Sequence, residues 1–279
     1  MLCISLYPFH FCPQWKGRCF TTGHVLYPDV SVGTPISFEK RTSELYTIIM
    51  LYIIGTPIGN LGDMSPRAIE ALKKASVVLM ESPQDSLRLL QLFEIGRKPV
   101  IKYNDANAKG VLPKIKEALQ EGDVALITSA GMPGVSDPGF HAVKAARELG
   151  IEVQVIPGPS AVTSVIALCG MPIYDFAFVA FLPRTEGKLK KLFEEYKNRE
   201  QAMVFFESPF RIQKSMKALE TVAPDVQVFL AKELTKKFES SVYGTPKEVN
   251  EWLAEKKEHT KGEFVGVVGV STSLKIFNS

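Results

Sequence analysis

The sequence is poor in the residues that build the commonest nucleophile and metal centres. It has four histidines and four cysteines. Beyond residue 49 only His141, His259 and Cys169 remain, so no Ser-His-Asp set is apparent. Cys3, Cys12 and Cys19 crowd the start, with His10 and His24 nearby. Their C-x8-C-x6-C spacing lacks the paired C-x2-C of zinc modules, and no metal is expected. The main body has no cysteine pair, which points to a reducing cytoplasm. No apolar run reaches 18 residues, so no membrane span is expected. Neither G-x-G-x-x-G nor G-x-x-x-x-G-K-[ST] occurs, which argues against a pyrophosphate cradle. The net charge of +3 is too small to argue nucleic-acid binding by itself, so basic patches would have to be local.

What is present is an ordinary globular composition, 46% apolar and 23% charged over 279 residues. That length suits one large domain or two modest ones. Residues 1–49 carry scattered prolines and aromatics without a period of 3.6 or 2. They are expected to be a leader or a poorly ordered extension, with Met50 as the natural start.

From Met50 onward short apolar runs alternate with helical patterns. Strands are expected at 51–54, 77–80, 99–103, 123–128 and 152–156, with helices from Pro66 to Ala75 and over 86–93, 111–120, 140–149 and 160–168. Gly122 reads as a helix stop. The strands are continuous apolar runs, as in a parallel sheet covered on both faces. A second block reads the same way, with strands at 176–181, 203–206, 226–231, 240–243 and 263–270. Two α/β domains are expected, 50–170 and 171–272, divided at the Gly170-Met-Pro172 turn.

Ligands of open parallel sheets bind beyond the carboxyl ends of the strands. Six strand ends here carry Gly- and Pro-rich loops: Gly55-Thr-Pro-Ile-Gly-Asn60, Glu81-Ser-Pro83, Ser129 to Gly139, Pro157-Gly-Pro-Ser160, Phe181-Leu-Pro-Arg184 and Glu207-Ser-Pro-Phe-Arg211. Such residues let a ligand approach the main chain closely. Asp137-Pro138 reads as a helix N-cap followed by Pro at the first helical position. Glu81 and Glu207 suit either a cap or a cleft. Phe205 and Phe206 read as core. The carboxy-terminal half holds basic clusters at 184–199, 211–217, 232–237 and 256–261, either solvated faces or attractors of a phosphate backbone.

In order, Thr56-Pro-Ile-Gly-Asn-Leu-Gly-Asp63, Ala130-Gly131 with Ser136-Asp-Pro-Gly139, Pro157-Gly-Pro-Ser-Ala161, Phe181-Leu-Pro-Arg184, Glu207-Ser-Pro209 with Arg211, Glu233-Leu-Thr-Lys236 and Lys261-Gly-Glu-Phe-Val265 span nearly the whole chain. With these motifs the chain resembles the tetrapyrrole-methylase superfamily, and within it the bacterial 16S ribosomal RNA cytidine 2′-O-methyltransferases. It departs from the family pattern at Ser82-Pro-Gln84, Ser129, Met132, Phe210 and Lys232.

The resemblance implies two α/β domains with S-adenosylmethionine in the cleft between them, and a homodimer. It implies methylation of a cytidine ribose hydroxyl in the decoding region of 16S rRNA, with the small ribosomal subunit as partner and neither DNA nor membrane involved. Pro57, Ser129, Ala130, Met132, Pro133, Ser160, Ala161 and Leu182 would line the donor pocket. Glu207 or Glu233 would serve as base, and Lys236 or Arg211 as the cation near hydroxyl or phosphate. The alternatives are a relative acting on a small tetrapyrrole-like ring and a non-catalytic RNA-binding homologue.

Overall fold

The computed structural model describes residues 48–270. The expected leader therefore lies, apart from its last two residues, outside the described residues, as do Cys3, Cys12 and Cys19.

The first sheet contains β1 (Met50–Ile54), β2 (Val77–Met80), β3 (Val100–Lys102), β4 (Val124–Ile127) and β5 (Glu152–Ile156). All neighbours are parallel, in the order β3-β2-β4-β1-β5. The crossovers carry α1 (Pro66–Lys74), α2 (Pro83–Leu92), α3 (Ala108–Glu121) and α4 (Phe140–Glu148). Strand side chains alternate between faces, and here both faces are dry. Tyr52 and Ile54 join one apolar cluster with Leu72 of α1, whereas Leu51 and Ile53 join another with Leu119 of α3 and Ala142 of α4. The connections after β1 and β4 thus leave to opposite faces, and a crevice opens beyond the strand ends.

Helix starts follow local chemistry. The Ser65 hydroxyl accepts from Ala68 N, Pro66 occupies the first turn, and Lys73 and Lys74 end α1 where the dipole favours cations. Two helices begin earlier than their apolar periodicity suggested. α2 opens at Pro83 and α3 at Ala108, with Pro113 inside α3. Gly122 follows α3 with an extended φ of 174°, not a left-handed one. Its requirement is space, since a Cβ there would lie 2.7 Å from Ser76 Oγ.

The second sheet contains β6 (Phe176–Phe181), β7 (Ala202–Glu207), β8 (Val228–Lys232), β9 (Ser240–Gly244) and β10 (Phe264–Val268), in the order β6-β7-β10-β8-β9. Only β6 and β7 are parallel. The remaining pairs are antiparallel, so this sheet is mixed. The apolar runs did not disclose this. β10 returns to the sheet centre and is buried throughout, so Phe264-Val-Gly-Val-Val268 looks like a parallel strand in sequence.

One face of the second sheet packs on α6 (Glu186–Arg199), α7 (Ile212–Val222) and α8 (Pro246–Glu255). α8 starts with a capping box between Thr245 and Glu248. The other face receives α5 (Ala161–Leu168): Val162 and Val165 pack with Val204, Phe229 and Val265. α5 follows β5 in sequence yet covers the second sheet. It leads into Gly170-Met-Pro172 and then β6. Cys169 is buried in the same cluster.

Candidate active site

Three loops of the first sheet meet at its carboxyl edge. Thr56 and Gly131 exchange main-chain hydrogen bonds of 2.9 and 3.0 Å, joining the loop after β1 to the loop after β4. Gly55 and Gly158 bring the loops after β1 and β5 into contact. A Cβ on Gly55 would lie 2.7 Å from Gly158 Cα, a distance only glycine tolerates. The turns are therefore one assembly.

A cavity of about 390 Å³ lies against this assembly, within the range of roughly 300–1,000 Å³ for small-molecule sites. From the first sheet's loops it is lined by Ile58, Ser129 to Met132, Val135 to Asp137, and Ser160 to Val162. From the second sheet come Phe181, Phe206 to Pro209, Leu234, Lys236 and Glu263 to Val265.

Among the expected donor residues, Ser129, Ala130, Met132, Ser160 and Ala161 line the cavity. Three do not. Pro57 is buried beside the lining residue Ile58. Pro133 borders a different hollow with Gly134 and Phe140. Leu182 packs in the core among α6 and α7 residues.

Glu207 lies at the cavity wall, but its side chain is 0% exposed. Both of its oxygens are engaged: Oε1 accepts from Ser208 N at 2.7 Å and from Arg211 Nη2, and Oε2 from Ser215 Oγ at 2.6 Å. Strand alternation explains this. Residues 203, 205 and 207 of β7 face the helices, whereas 204 and 206 face α5 and the cavity. Phe206, read as core, is thus a cavity residue, while Phe205 is core as expected. Arg211 also donates to the Leu182 carbonyl at 3.0 Å, tying the loop after β7 to the end of β6.

Lys236 reaches the cavity between two carboxylates. Its Nζ donates to Glu233 Oε1 at 3.1 Å and to Glu263 Oε2 at 2.8 Å. Partial burial pulls the ammonium pKa down, but hydrogen bonds to Glu263 and Glu233 outweigh it and leave the pKa raised. Lys236 is therefore a fixed cation at neutral pH. Burial pushes the Glu233 carboxyl up, yet the Glu263 amide and Lys236 hold it below the usual range. The loop is strained: Glu233 and Thr235 adopt φ of 53° and 66°. Gly262 fits closely against Glu233, where a Cβ would lie 2.5 Å from Cγ.

Several site residues were not singled out from sequence. Glu263 stood inside a motif without a role. Asp137 is not a cap, because α4 begins at Phe140 with Gly139 before it. Ser136, at φ 65°, precedes Asp137, which lines the cavity instead. Burial first, then the Glu81 charge, raise the Asp137 pKa to about 6. Glu81 is no cap either: its Oε2 accepts from Ser129 Oγ at 3.1 Å.

The basic clusters are partly spent. Lys190 pairs with Glu186 and Arg199 with Glu195. Lys197 caps the Val222 carbonyl, and buried Lys232 donates to the Glu258 carbonyl. Among the described residues no group of three His, Cys, Asp or Glu side chains is gathered to hold a metal ion. No helix there is long and apolar enough to cross a membrane.

Solved structures with this fold include diphthine synthase, at 17% identity and a TM-score of 0.61, covering 80% of this chain and 90% of that one. Another is the uroporphyrin-III C-methyltransferase of Thermus thermophilus, at 18% identity and 0.52, covering 79% and 94%. The chain is 38% identical over 208 residues to the ribosomal RNA small subunit methyltransferase I of Thermotoga maritima, covering 74% of this chain and 93% of that protein. It is 34% identical to the protein of that name from Bacillus subtilis, covering 81% and 77%. Residues 50–250 match the family model of the Tetrapyrrole (Corrin/Porphyrin) Methylases. On the sheet architecture, the shared cavity and these similarities, the chain belongs to the tetrapyrrole methylase family.

Proposed function

We propose that this protein transfers a methyl group from S-adenosylmethionine to the 2′-hydroxyl of a cytidine in 16S rRNA of the small ribosomal subunit. The observation that carries the reading is one cavity bounded by the Ser129–Met132 and Ser160–Ala161 loops on one side and Lys236 on the other. The relatives' name, ribosomal RNA small subunit methyltransferase I, supports the substrate class.

The residues fit such a donor. The loops after β4 and β5 present main chain and small side chains to the cavity, and Asp137 adds a carboxylate suited to the donor's positive charge. When bound, S-adenosylmethionine supplies an electrophilic methyl on sulfonium sulfur. The chain's task is to hold the ribose oxygen in line with that carbon, and positioning of this kind can supply much of the rate.

A ribose hydroxyl is a weak nucleophile. Lys236, kept charged by its two partners, stabilises the developing alkoxide. Glu263 lines the cavity, is solvent-exposed, and lies 2.8 Å from Lys236 Nζ. It is the carboxylate placed to accept the hydroxyl proton. Glu207 has both oxygens engaged, and Glu233 is largely buried and does not line the cavity, so we assign them positioning roles: Glu207 fixes Arg211, and Glu233 fixes Lys236. A division into domains at 50–170 and 171–272, a homodimer and a cytoplasmic location belong to the same proposal. Light scattering of the purified chain checks the dimer.

The decisive experiment offers labelled S-adenosylmethionine with unmethylated small ribosomal subunits, and separately with tetrapyrroles. Ribose label in 16S rRNA is the expected result. Label on the ring alone moves the protein to the small-molecule branch. Donor binding without transfer to either leaves a non-catalytic homologue.

A further inference from the structure

The wall of the cavity contributed by the second sheet is aromatic, and the chain distorts itself to make it so. In a regular strand Phe178 and Phe181 would face opposite sides. The β6–β7 register shifts between these two residues, and Ala180 within the shift has φ 55°. This is a bulge with a non-glycine residue in the left-handed region, a costly conformation that re-aims the next side chain. Its result is that Phe178 and Phe181 both set their rings edge-on to Phe206, with centroids 5.0 and 5.8 Å away. Phe181 lines the cavity while remaining 59% exposed.

Phe210 stands at the neighbouring rim, 95% exposed, directly after the lining residue Pro209. Its turn is braced. Arg211 N and Ile212 N both donate to the Ser208 carbonyl, Glu207 takes the Ser208 amide, and the Arg211 guanidinium bonds Leu182 O beside Phe181. A rigid turn therefore holds a bare phenyl ring in water one residue beyond the lining of the cavity that Phe181 also lines. Cations follow the end of β6: Arg184 and Lys188 are exposed just beyond Phe181, and Lys214 is close enough to help lower the Glu186 pKa.

We propose that Phe181 and Phe210 form a stacking platform at the cavity mouth for an unpaired nucleobase of the RNA substrate, with Arg184 and Lys188 receiving the adjoining phosphates. Single-stranded RNA is bound through this combination, bases on aromatic faces and backbone on a positive groove. Stacking tolerates any base, so the platform supplies grip and orientation rather than sequence choice.

The inference rests on the RNA methyltransferase reading, so the wild-type protein is first assayed for transfer to small ribosomal subunits and for binding to a single-stranded oligoribonucleotide. Failure of the wild type in both assays defeats that reading and this inference with it. Given wild-type activity, F210A and F181A are expected to weaken oligoribonucleotide binding about tenfold each. KM for the subunit rises with them, and affinity for S-adenosylmethionine stays unchanged in F210A, whose side chain lies outside the cavity lining. F210W restores binding. The salt dependence of binding separates the roles: R184A lowers its slope, whereas F210A shifts affinity at constant slope. RNA affinity within twofold of wild type in both alanine variants overturns the platform. So does a loss of donor affinity in F210A that accounts for its whole defect. Both side chains are exposed, so thermal unfolding close to wild type is expected throughout.

Discussion

Gly59 and Lys236 meet with no room between them: a Cβ on Gly59 would lie 2.4 Å from Lys236 Cγ, 2.8 Å from Thr235 Oγ1 and 3.2 Å from the Leu234 carbonyl. Through this contact the first loop of the first sheet touches the strained loop after β8, and the cation at the cavity is set by both sheets.

Gly59→Ala should therefore displace Lys236 rather than unfold the protein. The expected outcome is a loss of transfer rate of about tenfold to a hundredfold, since misplacement by an ångström can cost that much. Single-turnover kinetics checks the rate. Donor affinity by calorimetry should change little, and a normal rate would mean the loops can part without consequence.

Lys236→Ala removes the fixed cation. Transfer should fall by about a hundredfold or more, the scale seen when one preorganised electrostatic donor is lost. S-adenosylmethionine binding should survive. Full activity in this variant would remove Lys236 from the chemistry.

Glu207→Ala strips the partner from Arg211 and orphans the Ser215 hydroxyl. Breaking a buried ion pair on one side costs about 3–5 kcal/mol, and the partial exposure of Arg211 places the expectation near the lower end. Urea unfolding checks this. A stability within about 0.5 kcal/mol of wild type is the ordinary result for an inconsequential surface change and would refute the assignment.

Asp137 supplies a pH dependence of defined sign. Its folded-state pKa of about 6 lies above the ordinary 3.8, so the folded state takes up the proton more readily than the unfolded chain. The charged form is a stability cost above about pH 6, relieved as pH falls towards 3.8. Asp137→Asn should accordingly raise Tm at neutral pH by about 2–4 °C and have little effect at pH 4. If the carboxylate faces the cationic donor, wild-type donor affinity falls as pH drops below 6, and the variant is both weaker and flat. Glu81 and Asp105 act on Asp137 electrostatically and Thr128 bonds it, so the midpoint should move down in Glu81→Gln. Calorimetry across this range tests both statements.

Much of the fold was legible because short apolar runs and helical stripes are local features. Every described strand falls on an expected apolar run. Parallel and antiparallel pairing in the second sheet was not legible, because β10 is buried on both faces in either case. At the site, Ser129, Ala130, Met132, Ser160, Ala161, Glu207 and Lys236, which the resemblance implied, line the cavity, and all but Lys236 stand in or directly after the Gly- and Pro-rich strand-end loops. Phe181 was quoted in a motif without a role, because only the bulge at Ala180 turns it inward. Asp137 resembled a cap because Asp-Pro usually is one.

The sequence by itself determined the alternation of elements, the punctuating loops and the family, since each is written in spacing along a single stretch of chain. Which carboxylate is buried, which is engaged with lysine and which keeps an elevated proton affinity was decided only in three dimensions. Those properties depend on dielectric surroundings and on partners such as Glu263 and Glu81, far away along the chain, and no local pattern encodes such distances.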